Sequence, residues 1–309
     1  MGTLAEMLST PLGVIEWFVY LLAAVMFVIG LHLMNSPKTA RKGNMVSAIG
    51  MVFAVAMAFI VLFAGEASNG FKHGVAVIVL IVGIVIGAVA GVVSAKKVKM
   101  TDMPQLVSVF NTVGGGAAAL VALNDILTSA ETPSIVVLIT AGLGIMIGSV
   151  TFSGSLIAAG KLQGIKWVKK LSLPGKGFWN ILFVVLTIVS FVMLCVQPNQ
   201  RLLWSILTTV FALCYGLVFV IPIGGADMPV VISVLNACTG TAVAMSGLAI
   251  NNIALIVAGA LVGAAGVTLS IAMSKAMNRP LLSVLAGGFG GSNSAAGAGE
   301  GLEGTMKET

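Results

Sequence analysis

The sequence predicts an all-α integral membrane protein with nine transmembrane helices, and three observations support this fold class. Of the 309 residues, 58% are hydrophobic and 8% are charged, whereas a soluble globular domain has about 25% charged residues. The apolar residues form nine runs that are long enough to cross a bilayer. The basic residues are concentrated in every second loop between these runs. Lipid is therefore the expected main solvent of the chain.

Each predicted span is an apolar run of about 20 residues, which matches the thickness of the hydrocarbon core. The first run is expected to be retained as a span, because the residues before it contain Glu6 and no Lys or Arg, unlike a cleavable signal peptide. The fifth run is longer than the bilayer requires. The spans cover approximately residues 13–34, 45–65, 74–95, 105–124, 133–160, 178–196, 202–222, 229–250 and 252–274.

The distribution of basic residues predicts the orientation of the chain. If the N-terminus is outside, every Lys and Arg except Lys72 and Arg201 falls in a cytoplasmic loop or flank. Cytoplasmic loops carry an excess of Lys and Arg, so the C-terminus is expected inside. The net charge of +6 therefore indicates membrane topology, and no nucleic-acid partner is predicted.

Glycines are expected to pack the helices against one another. Gly83, Gly87 and Gly91 lie on one face of the third span, and small residues at this spacing let helix backbones approach closely in lipid. We interpret them as packing residues rather than as a pore lining. No metal site is predicted. The cysteines lie in apolar runs and are interpreted as buried thiols rather than redox groups or ligands; they are Cys195, Cys214 and Cys238.

An internal repeat relates the fourth and fifth spans to the eighth and ninth. Residues 102–115, DMPQLVSVFNTVGG, match residues 227–240, DMPVVISVLNACTG, at a constant offset of 125. Four spans separate the copies, so the repeat is expected to be parallel, unlike the inverted repeats of many secondary transporters. The identical pairs include Asp102 with Asp227, Asn111 with Asn236, and Gly115 with Gly240.

The repeated acids precede a proline at the predicted cytoplasmic start of each helix. Proline suits the first turn of a helix because its missing N–H would have no partner there. Asp102 and Asp227 can accept hydrogen bonds from the exposed N–H groups of that turn and favour the positive end of the helix dipole. A helix cap is thus one interpretation of the two acids, and a functional role at the cytoplasmic mouth is the other.

The repeated asparagines lie deep in the predicted membrane. Asn111 and Asn236 each follow their proline by seven residues, which is about 10 Å along a helix. A polar group at that depth must face protein or water. One interpretation is a hydrogen bond between helices, and the other is a polar axis that lines a file of water. The neighbouring hydroxyls that would share this axis are Ser108, Thr112, Ser233 and Thr239.

Ionisable residues are missing from the middle of every predicted span. His32 lies near the inner end of the first span, and His73 lies at the outer margin of the third. A proton relay normally includes an ionisable group. If protons cross at this axis, a partner has to supply that group, or water and amides have to carry them.

Four segments of the chain resemble one known family. The segments KVKMTDMPQLVSVFN, IGGADMPVVISVLN, SKAMNRPLLSVLAGGFG and SPKTARKGN are similar to the membrane domain of the β subunit of proton-translocating NAD(P)⁺ transhydrogenase, over approximately residues 15–290. The resemblance implies nine spans with a cytoplasmic C-terminus, and a place in the inner (plasma) membrane.

The resemblance also implies the domain organisation, the cofactors and the partners. Residues 1–286 are expected to form the proton-translocating membrane domain, and residues 287–309 a flexible linker rich in Gly, Ala and Ser. The natural chain is expected to continue into an NADP(H)-binding domain. This chain is expected to bind no cofactor and to be inactive alone, with NAD(H) and NADP(H) held by associated soluble domains. The expected partners are an NAD-binding subunit, a small membrane subunit and a second copy of the complex.

Individual residues match positions of functional importance in that family. Asn236 matches a membrane-buried asparagine of the proton path. Asp227 and Arg279 match charged residues at the cytoplasmic mouth that communicate with the NADP(H)-binding domain, and we group Asp102 and Lys275 with them. Two departures stand out.

Asn111 stands where many relatives have a proton-carrying histidine, which the small membrane subunit is then expected to supply. Ala264 and Ala265 stand where relatives have serines, which argues against hydroxyl groups in that part of the path.

Two other functions fit parts of the sequence. A secondary transporter would usually show an inverted repeat, broken helices and a charged site in the membrane, and the sequence predicts none of these. A structural anchor for soluble domains would explain the linker but not the two buried asparagines. Replacing Asn236 by alanine separates an anchor from a proton path, because an anchor would be unaffected.

Overall fold

The computed structural model describes residues 10–64, 70–129, 132–166, 168 and 175–288. Within these ranges, nine helices are long and apolar enough to cross a membrane, which confirms the predicted fold class. The side of the membrane on which each end lies stays a prediction. The helices are α1 Pro11–Met34, α2 Ala40–Ala64, α3 Gly70–Lys97, α4 Met103–Thr128, α5 Ile135–Leu162, α6 Lys176–Val196, α7 Arg201–Val220, α8 Met228–Ala249 and α9 Ile253–Ala276.

A tenth helix, α10, covers Leu281–Gly288 and is too short to span a bilayer. The sequence analysis assigns the start of this segment to the membrane domain and its end to the linker. Val284, in the part assigned to the membrane domain, is buried and packs the helix against the end of the bundle, and the boundary at residue 286 stays a prediction. Beyond Gly288, the predicted linker lies outside the described residues.

Helix α8 is the centre of the bundle. It packs against α4, α5 and α9, while α5 also packs against α7, α7 against α6, and α1 against both α2 and α9. Since most of its side chains are buried, α8 faces protein rather than lipid. Polar residues on α8 can therefore be held by neighbouring helices.

The tight packing around α8 depends on glycine. A β-carbon on Gly240 would lie 2.8 Å from Gly259 O and would also strike Gly263 N, so α8 and α9 cross with their backbones almost in contact. Helices α4 and α5 cross in the same way, because a β-carbon on Gly115 would lie 3.1 Å from Gly148 O. Small residues are what permits such close approach in lipid.

A hydrophobic core closes the bundle at the end that carries Asp227. The last turns of α5 and α7 and the first turns of α8 meet there, and the fully buried Met228, Val230 and Val231 lie among them. Lys161, at the end of α5, donates hydrogen bonds to Val220 O at 3.2 Å and Ile223 O at 2.8 Å, and also to Ile221 O. These bonds satisfy carbonyl groups of the last residue of α7 and of the segment that follows it, which have no partner within the helix.

Helix α3 stands apart from this packing. None of its described side chains is buried, and a β-carbon on Gly83, Gly87 or Gly91 would meet no atom of this chain within 4 Å. These glycines therefore make no close helix contact inside the described part of the chain. A packing role for them stays a prediction about contacts with lipid or another chain.

We expect Gly240→Ala to destabilise the folded chain and Gly87→Ala to leave it unchanged. The added methyl group at position 240 overpacks the crossing of α8 and α9, at a cost of about 1–3 kcal/mol, whereas the methyl group at position 87 enters open space. Thermal unfolding of the two variants in detergent, followed by circular dichroism, measures the difference. Equal unfolding midpoints would contradict the glycine-dependent crossing.

Candidate functional site

Helices α4 and α8 lie side by side and run in the same direction. A β-carbon on Gly114 would lie 3.4 Å from Thr239 Cγ2, and about one turn further along α4 and two turns further along α8, Ser246 Oγ donates a hydrogen bond to Ala118 O at 3.0 Å. Residue numbers therefore increase in the same direction along the two helices. Asn111 lies three residues before the first contact on α4, and Asn236 lies three residues before it on α8. The two amides are consequently at a similar depth.

Asn111 is buried where α4 meets α5. Its Nδ2 donates a hydrogen bond to Ser155 Oγ at 2.8 Å, and Ser108 Oγ donates to Ser155 O at 2.7 Å. Its Oδ1 is also buried but has no hydrogen-bond partner among the described residues. Thr112 takes no part in this cluster, because its hydroxyl donates to Ser108 O of the same helix. One acceptor of the Asn111 amide is thus left for another donor.

Ser155 belongs to this cluster, and its sequence spacing does not predict this. The only signal in the sequence is the small polar run GSVTFSGS, residues 148–155, within an otherwise apolar span. The structure buries most of the hydroxyl residues of this run, and Ser149 Oγ has no partner among the described residues. Local spacing cannot show which of them faces α4, since that depends on how the two helices cross.

Asn236 is only half-buried and forms no side-chain hydrogen bond with the described residues. Ser233 and Gly240 face α9, where Ser233 Oγ donates to Gly266 O at 3.2 Å. Thr239 faces α4. At about 100° per residue, Asn236 lies between these two directions, about 60° from Thr239. We call this strip of α8, which carries Asn236 between its α9 side and its α4 side, the α8 seam.

Thr239 adds a second unpaired group beside the α8 seam. Its side chain is 7% exposed, and its Oγ1 has no hydrogen-bond partner among the described residues. Polar atoms buried in hydrocarbon without a partner cost several kcal/mol. A cluster of such atoms next to a half-exposed amide indicates a place for water or for polar groups from another molecule.

The chemistry of this cluster is limited to hydrogen bonding. Amides and hydroxyls can donate to water and accept from it, but they do not ionise near neutral pH. The sequence places no Asp, Glu, Lys, Arg or His in the middle of α4, α5, α8 or α9. Proton transfer at this depth therefore requires an ionisable group from outside these helices.

Of the two interpretations of Asp102 and Asp227, the helix cap is wrong. Neither carboxylate accepts a hydrogen bond from its helix. A short 3₁₀ turn ends at each aspartate and holds it at φ −99°, ψ 1° and φ −87°, ψ −6°, respectively. A capping side chain normally needs an extended backbone, which these turns do not provide.

Asp227 instead pairs with Arg279, which follows α9. Arg279 Nη1 donates to both carboxylate oxygens, at 2.7 Å to Oδ1 and 2.6 Å to Oδ2. The pair joins the first turn of α8 to the segment between α9 and α10. Lys275 is exposed and forms no ion pair within the described residues. The structure thus brings two of the four predicted charged residues together, Asp227 and Arg279.

Comparisons with known proteins identify relatives of the whole membrane region. A family model described as NAD(P) transhydrogenase beta subunit matches residues 16–309. Two curated relatives from Rhodospirillum rubrum, both named NAD(P) transhydrogenase subunit beta, are each 39% identical over 287 residues. The match covers 91% of this chain but only 59% of each relative.

We expect Ser155→Ala to destabilise the folded chain more than Ser153→Ala. The first change leaves Asn111 Nδ2 buried without an acceptor, at a cost of about 1–3 kcal/mol. The Ser153 hydroxyl donates only within its own helix, so its loss leaves no group on another helix unpaired. Thermal unfolding in detergent compares the two variants. Equal losses would show that the bond between Ser155 and Asn111 adds nothing.

Proposed function

Because the chain belongs to the NAD(P) transhydrogenase beta subunit family, we propose that it forms the proton-translocating membrane domain of a transhydrogenase. In this proposal, proton movement through the membrane is coupled to hydride transfer between NAD(H) and NADP(H) on soluble domains. The described residues contain no strand and so no βαβ unit with a glycine-rich turn that could hold a dinucleotide. As the family resemblance implies, we assign both nucleotides to associated domains and expect no catalysis from this chain alone.

The observation that carries the proposal is the α8 seam. Asn236 is half-exposed at mid-membrane depth with no partner in the described chain, and Thr239 Oγ1 and Asn111 Oδ1 lie unpaired nearby. If these side chains served only to hold the helices together, they would be hydrogen-bonded to each other. Unpaired groups on a partly open strip are what a water file or a polar partner helix requires.

The ionisable group of the path is proposed to come from a partner helix on the α8 seam. A histidine suits this place, because its pKa lies near neutrality and it can take up and release a proton there. Asn236 and Thr239 would orient water beside that histidine, and Asn111 would extend the chain of hydrogen bonds toward α5. We assign the partner helix to the small membrane subunit of the complex.

The pair of Asp227 and Arg279 is proposed to link the path to the soluble domain. It fixes the first turn of α8 to the segment after α9, so a domain that docks there and competes for either charge would shift α8. Coupling then is a change in the populations of inward-open and outward-open forms. The chain is a multi-pass membrane protein, and we place it in the inner membrane as part of a dimeric complex.

The test compares wild type with Asn236→Ala in the full-length chain, assembled with its partner subunits in sealed vesicles. NADPH-driven reduction of an NAD⁺ analogue reports hydride transfer, and a pH-sensitive dye reports proton movement. We expect the substitution to depress both signals together by about tenfold or more, because coupled steps fail as one.

Thr209→Ala is the control for this test. Its hydroxyl donates to Ser205 O of its own helix, far along the chain from the α8 seam, so both signals should stay near wild type. Undiminished pumping and turnover in Asn236→Ala would contradict the proposed path. Loss of pumping with intact turnover would instead show that hydride transfer no longer depends on proton movement in this variant, so that Asn236 is required for coupling.

A further inference from the structure

The two copies of the repeat begin in the same way but surround their aspartates differently. Both aspartates end a 3₁₀ turn and precede a proline in the first turn of a long helix. Asp227 is paired with Arg279. Asp102 is exposed, and its carboxylate is contacted by the hydroxyl of Thr101 at 3.4 Å but by no basic side chain among the described residues.

The ends of α5 and α9 explain this difference. Both helices finish in the same turn, with a left-handed residue at Gly164 (φ 74°) or Asn278 (φ 52°). The next residue then donates its N–H back to the fifth residue before it. This bond joins Ile165 to Gly160 in one copy and Arg279 to Ser274 in the other, at 3.1 Å in both. Ile165 therefore occupies the place that Arg279 has in the second copy.

An open cavity lies beside the unpaired aspartate. Its volume is about 420 Å³, and it lies between the start of α4 and the end of α5. A single inorganic cation needs far less space, since a water molecule takes about 30 Å³ in the liquid. The residues that line the cavity are Val98, Asp102, Gln105, Leu106, Val109, Leu162 and Gln163; we call them the α4–α5 socket.

The polar atoms of the α4–α5 socket include several acceptors. The Asp102 carboxylate is one of them. Gln105 Oε1 is buried and has no hydrogen-bond partner among the described residues, while its Nε2 reaches Leu162 O only at 3.5 Å. The C-terminal end of α5 adds the negative end of a helix dipole. Acceptors of this kind favour a positively charged donor.

The apolar residues of the socket indicate what carries that charge. Val98, Leu106 and Val109 contribute walls that suit methylene groups, and Arg and Lys bury their methylene stems against apolar surface while the charged head stays with polar groups. An apolar wall with acceptors therefore matches a basic side chain better than a bare ion.

We propose that the α4–α5 socket binds an Arg or Lys side chain of a docking protein segment, which supplies to Asp102 what Arg279 supplies to Asp227. We assign the segment to the soluble nucleotide-binding domain, and this assignment rests on the proposed function. In the second copy, Asp227 thus pairs with Arg279 of the same chain. In the first copy, Asp102 pairs with a basic side chain of the partner.

The test places a diazirine-bearing amino acid at Gln163, which is exposed at the rim of the socket, in the full-length chain within its assembled complex. Illumination should join position 163 to a protein segment that contains Arg or Lys. We expect Asp102→Asn to lower the yield about tenfold, as for the loss of one charge-assisted hydrogen bond, and Asp102→Glu to retain most of it. Because this readout needs no turnover, it is independent of the proton path.

A second pair of variants tests whether a basic side chain of this chain itself can occupy the socket. Ile165→Arg should reach Asp102 as Arg279 reaches Asp227 and lower the yield, whereas Ile165→Met should not. The same diazirine at Lys96, exposed at the end of α3, controls for general loss of docking. Cross-links to lipid only, a joined segment without Arg or Lys, or a yield unaffected by Asp102→Asn or by Ile165→Arg would overturn the proposal.

Discussion

The structure depends on one constraint, which is that polar groups in hydrocarbon must find partners within the protein. Around α8 this is achieved by glycine, because the crossings at Gly240 and Gly115 bring helix backbones close enough for side chains to reach across. Ser233 and Ser246 do so, each donating to a carbonyl of a neighbouring helix. Among the described residues the constraint is not met at Asn236, Thr239 and Asn111 Oδ1, which lie on α8 and on the helix beside it, nor at Ser149 Oγ of α5 and Gln105 Oε1 of α4. Packing therefore leaves several polar groups beside the α8 seam without a partner among the described residues.

The same constraint makes the two copies of the repeat unequal. Helices α4 and α8 start with the same DMP sequence and the same 3₁₀ turn. Their aspartates differ because the residue at the equivalent place after the neighbouring helix is Arg279 in one copy, which is charged, and Ile165 in the other, which is not. An ion pair holds the start of α8, while Asp102 at the start of α4 lies beside an open cavity and has no basic partner among the described residues. One end of the bundle thus has one helix start held by an ion pair and one that is not, which is the difference on which the proposed docking of a partner rests.

The sequence predicts the parts of this structure that are local. Run lengths predict the nine spans because hydrocarbon thickness sets them, and the repeat identifies Asn111 and Asn236 because both copies keep them. The parts that depend on helix crossings are not predicted. Ser155 is one of four small polar residues close together on α5, and only the crossing with α4 shows that it meets Asn111. The cap expected at Asp227 is wrong because its partner, Arg279, lies 52 residues later in the chain.

The central claim is that water reaches Asn236 at mid-membrane depth, and thiol modification tests it most directly. Thiols react with water-soluble thiosulfonates only as thiolates, which form in water and not in lipid. A cysteine at Asn236 is compared with one at Val113, which is 64% exposed and lies on the outer face of α4, in the assembled complex with the native cysteines replaced. If water lines the α8 seam, modification at position 236 should be at least about tenfold faster than at position 113. Equal, slow rates at the two positions would show that the α8 seam is dry and would contradict the account.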